Sequence, residues 1–123
     1  MPATISQRLA QAAYTCVSAR KKHLEPDRKK YRTFALKFPS LIHTCGLAQA
    51  VAFAKANESD NKKYLDDLIA TLSAVEGDSA SELEKLSRTV SLNDYMRLSR
   101  RALMAADWLK RTTQALLPNE KTK

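Results

Sequence analysis

Residues 39–56 read Pro-Ser-Leu-Ile-His-Thr-Cys-Gly-Leu-Ala-Gln-Ala-Val-Ala-Phe-Ala-Lys-Ala and carry the strongest structural signals in the chain. Residues 47–56 are apolar except at two positions, and a helix that is apolar on nearly all sides belongs at the centre of a core. Residues 40–45 predict a short helix ended by Gly46. Pro39 is expected to stop or kink the helix before it, because proline lacks an amide donor and clashes with the preceding turn.

The segments before this stretch predict two more helices. Thr4-Ile5-Ser6-Gln7 matches a capping box, in which the Thr hydroxyl and the Gln amide satisfy free amides of the first turn. Apolar residues then recur at helical spacing, and this helix is expected to run to about Leu24. Pro26 suits the first turn of the next helix, which should continue to Pro39.

The segments after residue 56 predict further helices separated by polar breaks. Breaks at residues 57–60 and 77–79 enclose an amphipathic helix that ends near Val75. Leu83 and Leu86 lie three residues apart and predict a short helix.

Residues 91–94 read Ser-Leu-Asn-Asp and predict the N-cap of a last helix that runs to about Leu117, with residues 118–123 as a flexible tail. Two glycines and four prolines are too few for the turns of a β-sandwich or an α/β domain. The 123 residues therefore predict one all-α domain, a compact bundle of about six helices with short connections.

Charge is distributed unevenly along the chain, whose formal net charge is +8. Residues 1–37 contain nine Lys/Arg and two acids, and residues 88–123 contain eight Lys/Arg and three acids. Residues 58–84 contain eight acids and two lysines. Basic ends around an acidic middle indicate a polyanion partner and favour an oppositely charged protein partner as well.

The last helix has two contrasting faces on a helical wheel. The first is mostly apolar and is expected to pack on the core: Tyr95, Ser99, Ala102, Leu103, Ala106, Leu109, Thr113, Leu116 and Leu117. The second is a stripe of cations and larger apolar side chains: Arg97, Arg100, Arg101, Met104, Trp108 and Arg111. Guanidinium groups bind phosphates through forked hydrogen bonds, and an exposed indole stacks on a base. This stripe therefore predicts contact with RNA, or with a partner subunit, by Arg97, Arg101, Trp108 and Arg111. The competing interpretation is a solvated helix face with Trp108 in the core.

Two more cationic clusters flank the turn predicted at Pro26. They are Arg20-Lys21-Lys22 and Arg28-Lys29-Lys30-Arg32. Together they are expected to bind several phosphates, through contacts that do not depend on base sequence and that weaken as salt rises. The competing interpretation is a solubilising loop edge.

The residues that enzymes need are sparse. His23 and His43 are the only histidines, too few for a zinc site even with Cys45 nearby. Asp66 and Asp67 are adjacent on a helix and point about 100° apart, which suits neither a metal pair nor an acid–base pair. No glycine-rich phosphate loop occurs. We therefore expect no catalytic residues, no metal, no cofactor and no small-molecule substrate.

The cysteines and the hydropathy pattern bear on the cellular compartment. Cys16 and Cys45 lie within helical patterns and are expected to be reduced, buried and structural rather than joined in a disulfide. No run of about 18 apolar residues and no charged-then-apolar leader is seen, so we expect neither a membrane span nor a signal peptide. The expected location is the cytoplasm.

The stretch at residues 39–53, Pro-Ser-Leu-Ile-x-x-x-Gly-Leu-x-Gln-Ala-x-Ala-Phe, resembles a known family signature. It is similar to that of the small helical subunit of type III-B CRISPR (Cmr) RNA-targeting complexes. Trp108-Leu109-Lys110-Arg111 resembles the C-terminal helix of that family. Tyr31, ahead of Pro39, and Tyr64, after the polar break, also resemble that family. The resemblance spans roughly residues 25–115.

The resemblance implies a fold, a set of partners and a role. Gly46 would form a close or left-handed turn, and Leu41, Ile42, Leu47 and Phe53 would fill the core. Several copies would stack beside other Cmr subunits, line the channel that holds guide RNA and target RNA, and contact the RNA backbone. Target cleavage would belong to a different subunit. The RNA-binding residues above come from charge patterning and not from the family motif.

Two other functions remain open on sequence grounds. The first is a helical adaptor that assembles without RNA contact, the basic ends of one copy meeting the acidic 58–84 segment of the next. The second is a free-standing regulator that binds duplex DNA, although no convincing helix-turn-helix is seen.

Overall fold

The computed structural model of the chain describes residues 4–22, 25–56, 58–77 and 82–117. Within these ranges the fold is helical and contains no strand. The helices are α1 (Ile5–Arg20), α2 (Glu25–Cys45), α3 (Leu47–Ala56), α4 (Glu58–Glu76), α5 (Leu83–Thr89) and α6 (Leu92–Leu116). The prediction of an all-α bundle of about six helices is confirmed. The predicted tail at 118–123 lies outside the described residues.

Local capping signals determine where several helices begin and end. Thr4 Oγ1 accepts a hydrogen bond from Gln7 N at 3.0 Å, and Gln7 Oε1 accepts one from Thr4 N at 2.8 Å, so the predicted capping box forms. Ser91 Oγ caps α6 by accepting from Asp94 N at 3.4 Å. α1 ends at Arg20, earlier than predicted, because Lys21 N turns back to Ser18 O in a tighter turn.

Pro39 does not stop α2, so the prediction of a separate short helix at residues 40–45 is wrong. It is a buried residue within the continuous helix α2. The buried face of α2 continues at helical spacing on both sides of the proline, through Phe34 and Phe38 before it and Ile42 after it. Burial of this face offsets the lost backbone hydrogen bond, which costs about 3 kcal/mol in an isolated helix.

The prediction that residues 47–56 form the innermost helix is also wrong. α3 contacts α2, α4 and α5, and buries only one face, at Leu47, Ala50, Val51 and Ala54. Phe53, which the resemblance placed in the core, is 36% exposed. Alanines make most of α3 apolar, and such small side chains tolerate exposure, so an apolar sequence alone overstated its burial.

The central helix is α6, which packs on α1, α2, α4 and α5. It runs antiparallel to α2, because Arg32 of α2 lies beside the end of α6 at Leu117 while Gly46, just beyond α2, lies beside Tyr95. Tyr95 Oη accepts a hydrogen bond from Ala48 N at 3.1 Å and so ties α6 to the start of α3. None of the described helices has the length and apolarity that crossing a membrane requires.

Gly46 has φ +87°, so the left-handed turn expected from the sequence is present, and a Cβ there would lie 3.4 Å from Tyr95 Oη. Gly46→Ala is therefore expected to lower the free energy of unfolding by about 1–2 kcal/mol, the cost of a left-handed conformation for an L-residue. Gly77→Ala is the comparison: Gly77 shares the left-handed conformation (φ +70°) and should lose a similar amount, so any further loss in Gly46→Ala reports the contact of the added Cβ with Tyr95 Oη. Urea unfolding measures both variants, and wild-type stability in Gly46→Ala would contradict the account.

Candidate nucleic-acid interface

Arg20 is a half-buried member of an ionic cluster centred on the buried carboxylate of Asp67. Its Nε and Nη2 atoms donate to the two carboxylate oxygens of Asp67 at 2.9 and 2.8 Å, a forked pair. Tyr31 Oη donates to the same carboxylate at 2.5 Å. The side chains of Arg20 and Asp67 are only 17% and 8% exposed. The prediction that Arg20 faces RNA therefore conflicts with its geometry, because its forked donors already bind α4.

A second carboxylate, Glu76, binds two arginines of the predicted stripe. Its oxygens lie 3.0 and 2.9 Å from Arg97 Nη1 and 3.0 Å from Arg101 Nη1, and its side chain is 8% exposed. These hydrogen bonds raise the pKa of the Arg97 guanidinium above its ordinary value. The charges of Arg97 and Arg101 are thus partly neutralised at the end of α4, which the sequence pattern did not reveal.

Trp108 is half-buried, contrary to the exposed indole that the helical wheel predicted. It packs against the core, and its Nε1–H donates to Ser6 Oγ of α1 at 3.1 Å. The wheel assumed that α6 has one core face, whereas α1 and α2 cover it on two sides. Leu98 and Ala105 are buried for the same reason, although the wheel did not assign them to the core.

The solvent-facing side of α6 still carries cations. Arg97, Arg100 and Arg111 are exposed there. Arg100 and Arg111 form no ion pair within the described part of the chain. The Arg111 guanidinium lies 5.8 Å from the centroid of the Trp108 ring, a cation–π distance that leaves its hydrogen-bond donors available. We call Arg97, Arg100 and Arg111 the α6 arginine face.

The two clusters around the predicted turn do come together. Arg28 of α2 donates to the Lys21 carbonyl at 3.4 Å, so the end of α1 and the start of α2 are adjacent. Lys21 and Lys22 are exposed. Arg32 instead donates to the Leu117 carbonyl at 2.9 Å and serves the packing of α2 on α6. His23 lies outside the described residues.

A cationic cleft lies between α2, α3 and α4, and it was not predicted from the sequence. Its volume is about 350 Å³, and we call it the lysine cleft; it is lined by Lys29, Lys30, Thr33, Phe34, Lys37, Phe53 and Asn61. Lys29 and Lys30 were predicted to bind RNA, but Lys37 and Phe53 were not. The spacing of Lys29, Thr33 and Lys37, four residues apart, placed them on one helix face and was the available signal.

The described residues show little that resembles a catalytic centre. No group of three or more His, Cys, Asp or Glu side chains within them is close enough to hold a metal ion. Burial and the nearby Asp67 carboxylate raise the pKa of the Cys16 thiol, which disfavours the nucleophilic thiolate. Both cysteines are free thiols, but Cys45 is exposed, so the expectation that it is buried was wrong.

Comparison with known proteins gave consistent results. A family model described as CRISPR-associated protein (Cas_Cmr5) matches residues 5–116, which include all six helices. The CRISPR system Cmr subunit Cmr5 of Thermus thermophilus is 38% identical over 114 residues, covering 93% of this chain and 96% of that protein. The X-ray crystal structure of a CRISPR-associated Cmr5 family protein from the same organism matches with a TM-score of 0.81 and 38% identity, over 93% of this chain and 98% of that one.

Asp67→Asn is expected to lower the free energy of unfolding by about 1–3 kcal/mol, because it leaves the half-buried Arg20 guanidinium without its counter-charge. Asp66→Asn is the matched control. The neighbouring Asp66 makes only an exposed pair with Lys62, at 3.7 Å, and should change stability by less than about 0.5 kcal/mol. Urea unfolding of both variants provides the measurement, and equal effects would show that the Arg20–Asp67 pair contributes nothing specific.

Alkaline pH should destabilise the protein through its buried phenols. Burial and the Asp67 carboxylate raise the pKa of Tyr31 well above its ordinary value, and burial does the same for Tyr64. Both phenols stay neutral in the folded state and ionise on unfolding. Their contribution to stability is therefore complete below about pH 10 and is lost as pH rises further.

Tyrosinate absorbance during an alkaline titration tests this expectation. At least two of the four tyrosines should ionise only as the protein unfolds, monitored in parallel by circular dichroism. Tyr31→Phe should make stability fall less steeply with pH above about 10. Ionisation of all four tyrosines in a protein that is still folded would be inconsistent with the buried positions of Tyr31 and Tyr64.

Proposed function

Because the chain belongs to the Cmr5 family of CRISPR-associated proteins, we propose that it is a non-catalytic structural subunit of a type III-B (Cmr) effector complex. In this proposal several copies stack beside other Cmr subunits in the cytoplasm and contact the backbone of guide and target RNA in support of antiviral RNA silencing. Cleavage of the target belongs to another subunit. The Thermus thermophilus relative is named as a Cmr subunit, which supports the assignment to a complex.

The observation that carries the RNA contact is the charge of the exposed surface. Fourteen Lys/Arg side chains are exposed among the described residues. Among the residues whose burial the structure describes, five carboxylates are exposed: Asp66, Glu82, Glu84, Asp94 and Asp107. The side chains of residues 25–27 and 58–60 lie outside this comparison. Two carboxylates of the acidic middle segment, Asp67 and Glu76, turn inward to arginines of the same chain. Exposed cations outnumber exposed carboxylates among the compared side chains, as expected for a protein that binds a polyanion.

The α6 arginine face and the α1–α2 turn are the parts of this surface that we assign to RNA. Arg100, Arg111, Lys21 and Lys22 are exposed and lie on rigid helices or at their ends. Contacts from such residues to phosphates fix the register of RNA without reading its sequence, as a subunit that accepts many guides requires. Arg97 also belongs to this face, but it shares its charge with Glu76. Arg101 and Trp108 are half-buried and stabilise α6 beneath the exposed arginines.

The protein-only adaptor is supported by a different observation. Leu92 is 72% exposed, Met96 49% and Tyr14 55%, and the first two lie one turn apart at the start of α6. Apolar side chains of this size on a surface favour contact with another protein. The inward orientation of Asp67 and Glu76 weakens the original basis of this hypothesis, because it removes two charges from the acidic surface that stacking copies were expected to share.

RNA binding should depend on salt and on the α6 arginine face. We expect the affinity for a labelled guide–target duplex to fall steeply between about 50 and 200 mM salt. The double variant Arg100→Gln/Arg111→Gln should bind more weakly, with a log–log salt slope that is shallower by about 1.8 if each arginine contacts one phosphate. Fluorescence anisotropy across a salt series measures both quantities.

The matched control is Lys85→Gln/Arg88→Gln, which removes the same charge from α5. This control should keep nearly wild-type affinity and slope. Equal losses in the two double variants would contradict the assignment to α6. No measurable RNA binding at low salt, together with intact assembly into the complex, would favour the adaptor.

A further inference from the structure

The lysine cleft combines cations with an accessible aromatic ring. Lys29, Lys30 and Lys37 are exposed around it, and Phe53 presents a ring that is 36% exposed. Neither α6 nor the α1–α2 turn has this composition, since the indole of Trp108 is packed against α1. A volume of about 350 Å³ is within the range of sites for small organic groups, which begins near 300 Å³.

The aromatic ring is held in place by its neighbours. Phe34, which is buried, meets Phe53 edge to face, with centroids 6.2 Å apart and an interplanar angle of 86°. Phe34 in turn packs on Phe38 and Tyr64 of the core, at 5.4 and 5.2 Å. Phe53 is therefore a rigid platform connected to the core, and a rigid platform loses little conformational entropy when a ligand stacks on it.

The ammonium group of Lys37 lies close to the Phe53 ring. Lys37 Nζ lies 5.3 Å from the centroid of Phe53 and 5.8 Å from that of Phe34, which are cation–π distances. A ligand that combines a flat ring with an anionic group would match this pairing, with its ring on Phe53 and its anion between Lys37 and the lysines of the preceding turns. A bare anion would not use the aromatic surface.

Asn61 adds the capacity to form hydrogen bonds. It lines the cleft from α4 and is 8% exposed. A carboxamide offers two donors and one acceptor, which suit the edge of a nucleobase. Lysines, an aromatic platform and an amide are the set of groups that proteins use to hold single-stranded nucleic acid.

We infer that the lysine cleft binds one unstacked nucleotide of a single-stranded RNA segment, with its base on Phe53 and its flanking phosphates on Lys29, Lys30 and Lys37. This inference rests on the proposed RNA contact and adds to it a site that distinguishes single strands from duplex. Bases within a duplex are stacked on each other and do not reach the ring.

The test compares a fluorescently labelled uridine 12-mer with a ribose-phosphate strand of equal length that lacks bases, both titrated with the full chain at low salt. The intact strand should bind about fivefold to tenfold more tightly, the lower range expected for one base on an aromatic ring. Phe53→Leu keeps apolar volume but removes the flat ring, and it should reduce this preference to nearly one. Lys37→Gln should weaken both strands and make the salt slope shallower by about 0.7.

Tyr14→Leu and Lys85→Gln are the matched controls, an exposed aromatic ring on α1 and an exposed lysine on α5. Tyr14→Leu should leave the preference for bases unchanged, and Lys85→Gln should leave the slope unchanged. Circular dichroism melting confirms that each variant is folded.

The possible outcomes separate the cleft from the broader proposal. Equal binding of the two strands by the wild type, or an unchanged preference in Phe53→Leu, would overturn the cleft assignment and leave RNA contact in place. Absence of binding to either strand and to duplex would overturn both. Displacement of the 12-mer by micromolar adenosine monophosphate would assign the cleft to a free nucleotide instead.

Discussion

Asp67 joins three helices through one buried carboxylate. Arg20 from α1 and Tyr31 from α2 both donate to it, and Asp67 itself lies on α4. A buried charge of this kind is tolerated only when its lone pairs are satisfied, so the three helices are held at fixed positions relative to one another. The aromatic residues beside it continue the same junction, since Tyr31 and Tyr64 lie edge to face at 5.9 Å. The start of α2, and with it the lysine cleft, depends on this junction for its position.

The second internal carboxylate determines the chemistry of the opposite surface. Glu76 draws Arg97 and Arg101 toward the end of α4, and Trp108 is held on α1 by Ser6. The side of α6 that bears Arg101 and Trp108 therefore packs against α4 and α1, and Arg100 and Arg111 lie on the exposed side. Two carboxylates of the acidic segment lie inside the bundle, each bound to arginines of the same chain. Among the side chains whose burial is described, exposed cations outnumber exposed carboxylates. Such a surface is consistent with the proposed contact with RNA.

The sequence predicted features that depend on neighbours along the chain. The capping box at Thr4, the cap at Ser91 and the left-handed glycine at Gly46 involve residues at most four positions apart, and all three are present. Features that depend on residues distant in the chain were either not predicted or predicted wrongly. Continuity of α2 through Pro39 relies on burial of its whole face, and the wheel of α6 did not account for a helix covered on two sides. The partners of Arg20 and Arg97 lie 47 and 21 positions away, so charge patterning had no means of finding them. The lysine cleft was missed because its aromatic ring comes from another helix.

The central claim is that this small bundle contacts RNA through its exposed cations. Ultraviolet crosslinking of the complex purified from its host with guide and target RNA, followed by mass spectrometry of the crosslinked peptides, tests it most directly. The account predicts RNA adducts at exposed residues of α6 and of the first half of α2, and none on α5. Crosslinks confined to other subunits, in a complex that contains this chain at full occupancy, would contradict it.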